Sequence, residues 1–154
     1  VLYCTFKKLV GIFFNVLNIL LNGNLPPFGT VCIVVEQDGQ YLVIERPEGS
    51  IVFPGGFMRW NELSTQTARR EGKEETGLDL NIGEILGSYT VPAMSFTAMS
   101  TITIVHRAEI IGGELHSSIE GRPYWVDKTL LPNILAQHYQ PIIKNFLQFD
   151  IRNK

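Results

Sequence analysis

Residues 62–77 constrain the fold most, because they read as a surface helix with its end marked. Glu62 to Thr76 contains no proline and a single glycine, is rich in polar and charged residues, and is closed by Gly77. A glycine just past the last helical residue is a strong C-terminal stop. Ahead of the helix, Pro54-Gly55-Gly56 forces a turn with backbone angles that favour glycine. Asn61 or Ser64 is the expected N-cap, since Leu63 has no acceptor. Residues 69–75 hold six charges in seven positions. At 100° per residue, Glu74 and Glu75 lie about 60° and about 40° to either side of Glu71, so the three carboxylates share one face. Solvated helices do carry such clusters without function. A set of oxygen ligands beside a glycine turn nevertheless suits Mg²⁺ or Mn²⁺, hard cations that complete their shells with water and phosphate oxygens.

The rest of the chain surrounds this helix with strands. Thr30 to Val35 is a largely β-branched run, Asp38-Gly39 is a two-residue hairpin signal, and Tyr41 to Glu45 returns as the second strand. Ile51 to Phe53 is a strand stub. Further strands are expected at Ile82 to Thr90, Thr97 to Ile111 and Tyr124 to Val126. Helical patterning runs from Leu131 to Phe149, with Pro141 starting a second helix. Strands and helices mix without a βαβ repeat, which predicts an α/β (α+β) layered domain. With 154 residues, 45% of them hydrophobic and 18% charged, the chain reads as one globular domain. A net charge of -2 and the absence of any Lys/Arg run argue against a nucleic-acid partner. Cys4 and Cys32 sit among apolar residues at no metal-ligand spacing and are expected to be reduced and buried.

Residues 9–35 carry no charge at all. Their apolar part, Leu9 to Leu21, is too short and too polar at Asn15 and Asn18 for a spanning helix, which needs about 20 apolar residues. No small-x-small cleavage site follows it. Leu2, Phe6, Leu9, Phe13, Val16, Leu17 and Leu20 recur at helical spacing, whereas Thr5, Lys8, Asn15, Asn18 and Asn22 fall mostly opposite. Residues 1–22 are therefore an amphipathic helix, with 23–27 a linker and 28–154 the domain. The apolar stripe is expected to pack on that domain or in a homodimer; a membrane surface is the less favoured support. A cytoplasmic location is the expectation.

From Gly56 the sequence runs G-x5-E-x7-R-E-G-K-E-E-T-G-L, through Gly56, Glu62, Arg70, Glu71, Glu74, Glu75, Gly77 and Leu78. This resembles the box of the Nudix hydrolases, G-x5-E-x7-R-E-U-x-E-E-x-G-U with U aliphatic. Eight of nine defined positions agree over 23 residues. The exception is Gly72 in place of an aliphatic residue. In the family fold this position faces the sheet, so a neighbour, for instance an aromatic ring, is expected to fill the hole.

The resemblance implies an α/β/α sandwich with a mixed sheet, the N-terminal helix being extra to it. It implies hydrolysis of a nucleoside diphosphate linked to another moiety, either ADP-ribose or a nucleotide sugar or a modified nucleoside triphosphate, with Mg²⁺ (or Mn²⁺) activating water. Glu71, Glu74, Glu75 and the Gly55 carbonyl would hold metal, and Arg70 with Glu62 would tie helix to loop. Glu120, in a loop similar to that of MutT-type members, would be a metal ligand or the general base; Glu75 is the other candidate base. Pro92 stands at a spacing similar to that of ADP-ribose pyrophosphatase subgroups. Phe57, Met58, Trp60, Phe96 and Trp125 are candidates for a base-stacking wall, although such residues are more often core. His106 and His116 have no motif support and read as structural. A non-catalytic domain that binds or senses a nucleotide is the alternative, but it would be expected to lose box carboxylates, and all are present.

Overall fold

The computed structural model describes residues 2–136, 139, 142 and 143, the side chains of residues 2–4 and 7 excepted. Helix α1 (Leu2–Leu20) leads through a turn to strand β1 (Phe28–Gln37), which pairs antiparallel with β2 (Gln40–Glu45). Asp38 and Gly39 both take positive φ, 53° and 78°, the two-residue turn whose twist matches that of paired strands. After β3 (Ile51–Val52) come α2 (Ser64–Thr76), β4 (Leu78–Val91), β5 (Thr101–Gly113), β6 (Arg122–Asp127) and a short α3 (Leu131–Ile134). β1 and β5 are parallel, with Phe28 opposite Thr101, and β5 pairs antiparallel with β4. β2 carries β3 and β6 as antiparallel neighbours, so the sheet is mixed as expected.

Strand periodicity builds two cores. Cys32 and Val34 on β1, with Tyr41 and Val43 on β2, point to the layer formed with Leu131, Leu135, Ile142 and Ile143. Val31, Ile33 and Val35, with Leu42, point to the opposite layer, where α2 buries Ala68 against Leu78 and Leu80. Alternate residues of a strand face opposite sides, and a strand covered on both sides is apolar on both. Cys32 is free and buried, and burial pushes its thiol up from the ordinary value. The Cys4 side chain lies outside the described residues.

Several boundaries differ from those predicted. α2 starts at Ser64, not Glu62, and its cap is Leu63, whose N–H donates to Gln66 Oε1 at 2.8 Å. Neither Asn61 nor Ser64 caps it; the helix supplies its own acceptor from its first turn. Gly77, at φ 78°, ends α2 and turns the chain straight into β4 at Leu78, four residues before the expected start. The predicted C-terminal helix stops at Ile134, because Leu135 is extended (ψ 142°) and bridges Ile51. The second helix expected from Pro141 lies mostly outside the described residues. Gly72 does face the sheet, but the side chain that fills its place is Leu80: a Cβ on Gly72 would lie 2.5 Å from Leu80 Cδ1. No aromatic ring is needed.

The N-terminal helix docks on the domain with the face carrying Gly11, Phe14, Asn15 and Asn18, so the apolar stripe is not what packs there. Phe6, Leu9, Phe13, Val16 and Leu20 are exposed, and Asn15 and Asn18 turn inward. The reason is polar: Asn15 donates to backbone carbonyls of residues 96 and 98, and Asn18 Oδ1 accepts the Leu25 N–H at 3.1 Å. Backbone groups of a loop need partners, and two asparagines on one face supply them. Among the described residues no helix is long and apolar enough to cross a membrane.

Candidate active site

Gly55 and Gly56 carry the turn between β3 and α2. Gly55 sits at φ 149°, and a Cβ there would run into the carbonyl of Val31. Beside it, a Cβ on Gly56 would fall 2.5 Å from the Glu71 carboxylate. The turn therefore lies against β1 on one side and admits the first helix acid on the other, which is why this place tolerates only glycine.

Glu71, Glu75 and Glu120 lie within electrostatic range of one another near this turn. Glu75 is 2% exposed, and its Oε2 accepts the Gly55 N–H at 2.8 Å. Arg46, just past the end of β2, places Nη2 2.8 Å from Glu75 Oε1 and Nη1 2.8 Å from Glu120 Oε2. The first contact is at ion-pair distance but off the hydrogen-bonding direction, so Glu75 Oε1 is a buried oxygen without a donor among the described residues. Burial pushes Glu75 up to about 7, against the pull of Arg46 and the Gly55 N–H. Glu71 is also raised, by burial first, with Arg70 opposing it. Burial works against the Arg46 charge, but Glu75 and Glu120 outweigh it and keep the guanidinium protonated.

Arg70 is a fork. Nε and Nη2 bond the two oxygens of Glu62 at 2.7 and 2.8 Å, Nη1 reaches Glu71 Oε1 at 2.7 Å, and Nη2 also donates to the Phe57 carbonyl. Hydrogen bonds from Arg70 hold Glu62 down to about 2. Planar guanidinium geometry fits such bidentate pairing, and here it joins helix to loop. Glu74 differs from the other box acids: its side chain is 52% exposed on the outer flank, toward Arg59 and Arg70.

A cavity of about 480 Å³ opens over this cluster, within the range of small-molecule sites. Its lining combines Arg46, Glu71, Glu120 and the glycine turn with the apolar side chains of Phe57, Pro92, Met94 and Met99. Of the five candidates for a stacking wall only Phe57 lines it. Trp60 is fully exposed, Phe96 is exposed outside it, and Met58 and Trp125 pack against the α2-side core. The methionines take that place. Arg46 escaped the sequence reading: one arginine after a buried strand has no motif, and its partners lie 29 and 74 positions further on. Tyr139 lines the cavity too, its hydroxyl raised by burial. His106 is buried with Nε2 3.0 Å from Ser64 Oγ, and the His116 backbone N–H bonds the Thr76 carbonyl; neither histidine lines the cavity.

The NUDIX domain model matches residues 25–146, which is most of the chain and all of the site. The chain belongs to the NUDIX family. A relative of this Nudix chain, an ADP-ribose pyrophosphatase of Methanocaldococcus jannaschii, is 32% identical over 130 residues, covering 81% of this chain and 76% of that protein. A MutT-like protein of Streptomyces ambofaciens is 31% identical over 119 residues, 74% of each chain. The crystal structure of a MutT protein from Methanosarcina mazei Go1 superposes with a TM-score of 0.71 over 85% of this chain and 98% of that one, at 24% identity, a likeness of fold. Nudix hydrolases generally use divalent metal ions. Among the described residues no three acidic, His or Cys side chains converge closely enough to hold an ion as they stand. The donor set still fits one: the candidate groups are all oxygens, and Glu75 Oε1 is buried with Arg46 at ion-pair distance but no hydrogen-bond donor among the described residues.

Proposed function

We propose that this Nudix hydrolase cleaves the phosphoanhydride bond of a nucleoside diphosphate linked to another moiety, with ADP-ribose the first substrate to try and Mg²⁺ the metal. The observation that carries this reading is a cavity whose lining joins acids and a cation to apolar side chains. A pyrophosphate and a base need such a pair of surfaces. Glu71, Glu75 and the Gly55 carbonyl would hold the metal, with Glu74 at the outer rim. When bound, the ion would neutralise phosphate charge and lower the pKa of water.

The chain's own groups do the rest. Glu120 lines the cavity where water can reach it, so it serves as the proton acceptor; Glu75, sealed beneath, does not. Arg46 holds the Glu120 carboxylate in place through a charge-assisted bond. Arg70 and Glu62 keep the turn and α2 in register, which fixes the distance from Glu71 to Gly55 and Gly56. Phe57 and the methionines exclude water from the apolar part of the cavity and offer it to a base or a similar flat group.

The test is a substrate panel with Mg²⁺, covering ADP-ribose, nucleotide sugars and nucleoside triphosphates, with products resolved by chromatography. Glu75→Gln, Glu120→Gln and Glu74→Gln run beside the parent. Turnover of at least one substrate is expected. Glu120→Gln should lower kcat by about 10²-fold or more, as for a lost general base, with KM kept, and Glu74→Gln should cost least. A parent that hydrolyses nothing, or a Glu75→Gln variant as fast as the parent, overturns the reading.

A further inference from the structure

Helix α1 reaches the cavity without lining it, by two routes. Along the first, Asn15 Nδ2 shares its two N–H groups among three carbonyls, those of Phe96 at 2.9 Å, Ala98 at 2.7 Å and, in its own helix, Gly11 at 2.9 Å. Gly11 permits this approach, since a Cβ there would fall on the Thr97 carbonyl. The clamped carbonyls belong to the loop of residues 92–100, from which Pro92, Met94, Ala98 and Met99 form the apolar wall. Along the second, the Phe14 ring sits edge-on to Phe28 at 4.6 Å, and Phe28 in turn to Phe57 at 6.2 Å. Phe57 is also a cavity residue. The loop has few bonds of its own, such as Ala93 N–H to Ser100 Oγ at 3.0 Å and Ala98 N–H to the Ser95 carbonyl at 3.1 Å. α1 lies outside residues 25–146, where the family model matches.

We propose that α1 is the scaffold of the cavity's apolar wall, and that Asn15 is a positioning residue setting how tightly the enzyme holds the non-phosphate end of its substrate. This rests on the reading of the cavity as the nucleotide site. A loop held in place before binding need not be ordered by the substrate, and ordering of that kind is subtracted from affinity. Asn15 bonds the loop and its own helix, not the acids or the glycine turn, so the chemical step should not feel its replacement.

The experiment uses the full chain with Asn15→Ala, Asn15→Asp and, as a control on the same helix, the solvent-facing Ile19→Ser. The Asp variant keeps the size and replaces the donor with an acceptor facing two carbonyls. Readouts are kcat and KM for the best panel substrate, amide hydrogen exchange over residues 92–100 without substrate, and the thermal midpoint. Both Asn15 variants should raise KM about tenfold, equivalent to about 1.4 kcal/mol, with kcat within about twofold and faster exchange in the loop. Ile19→Ser should match the parent in all three. An active parent whose Asn15 variants keep the parental KM, or lose kcat with KM unchanged, overturns the inference alone. A parent inactive on every substrate overturns the site reading, and the inference falls with it. If one Asn15 variant fails to fold by its thermal midpoint, the other decides.

Discussion

Replacing Gly72 with alanine should destabilise the parent chain and yet stabilise one in which Leu80 is already alanine. A glycine inside a helix costs about 1 kcal/mol relative to alanine, so helix propensity alone favours the change. Packing opposes it. The new Cβ would stand 2.5 Å from Leu80 Cδ1, 3.4 Å from Leu80 Cγ and 3.5 Å from Ile33 Cδ1, against about 3.5–4.0 Å for comfortable carbon contact. Leu80 must withdraw by about 1 Å, yet it is 1% exposed and Ile33 is 0% exposed, so neither has room. Overpacking of this kind costs about 1–3 kcal/mol, and the net effect is a loss of up to about 2 kcal/mol. Leu80→Ala alone should cost about 2–5 kcal/mol through the space it leaves. In that background the methyl group added by Gly72→Ala no longer meets Leu80 and part-fills the gap, so the propensity gain of about 1 kcal/mol emerges. The assay is urea unfolding of the parent, both single variants and the double variant, followed by far-UV circular dichroism, read as a double-mutant cycle. An effect of Gly72→Ala with the same sign in both backgrounds would refute the packing account. Because α2 carries the site acids, Gly72→Ala should also lower kcat more in the parent background than in the Leu80→Ala one.

Arg46→Ala should cost the metal-free protein about 1–3 kcal/mol, since Glu75 keeps only the Gly55 N–H; Mg²⁺ should return part of this in the same unfolding assay, and an equal loss with and without Mg²⁺ counts against a cation site beside Glu75. Glu62, held at about 2 against an ordinary 4.5, contributes stability that is fully present above about pH 4.5 and is lost as pH falls through about 2. Glu62→Gln should flatten the acid limb of the thermal midpoint against pH in that window, and an unchanged limb would show that Arg70 gives Glu62 no folded-state advantage. Gly39→Ala should cost about 1 kcal/mol from backbone conformation alone, because φ is 78° and nothing lies within 4 Å of a Cβ there; a shifted urea midpoint with unchanged kcat checks it.

The parts of this molecule legible in its sequence are those whose causes are local. Gly77 ends α2 by its own backbone angle, Asp38-Gly39 turns the hairpin by theirs, and the Glu71 and Glu75 spacing follows from helix geometry. Arg46 was not legible, because its meaning depends on Glu75 and Glu120, which reach it through the sheet. Glu74 shows the converse: it shares a helix face with Glu71, but a helix face is wide, and the pull of Arg59 and Arg70 holds it outside. The face by which α1 meets the domain was not legible for a different reason. Hydropathy ranks leucine and phenylalanine as the side chains to bury, and the docked face was decided instead by loop carbonyls that Asn15 satisfies. The filling of Gly72 by Leu80 depended on where β4 begins, which a turn at Gly77 fixes but periodicity alone places four residues late.

The parallel pairing of β1 with β5 also sets an order of events in time. Thr30 and Thr103, whose hydroxyls meet 2.8 Å apart across that pair, are 73 positions apart in the chain. The glycine turn, α2 and the loop of residues 92–100 all lie within that span. Closing a loop of such length is entropically costly, and strand pairing between distant segments is slow. On the ribosome α2 emerges well before β5, so for a time its acids have no finished sheet to stand against. Affinity for a divalent ion should therefore appear late in folding, together with the β1–β5 register, and a refolding chain should gain hydrolytic activity only after its helix signal has already been recovered.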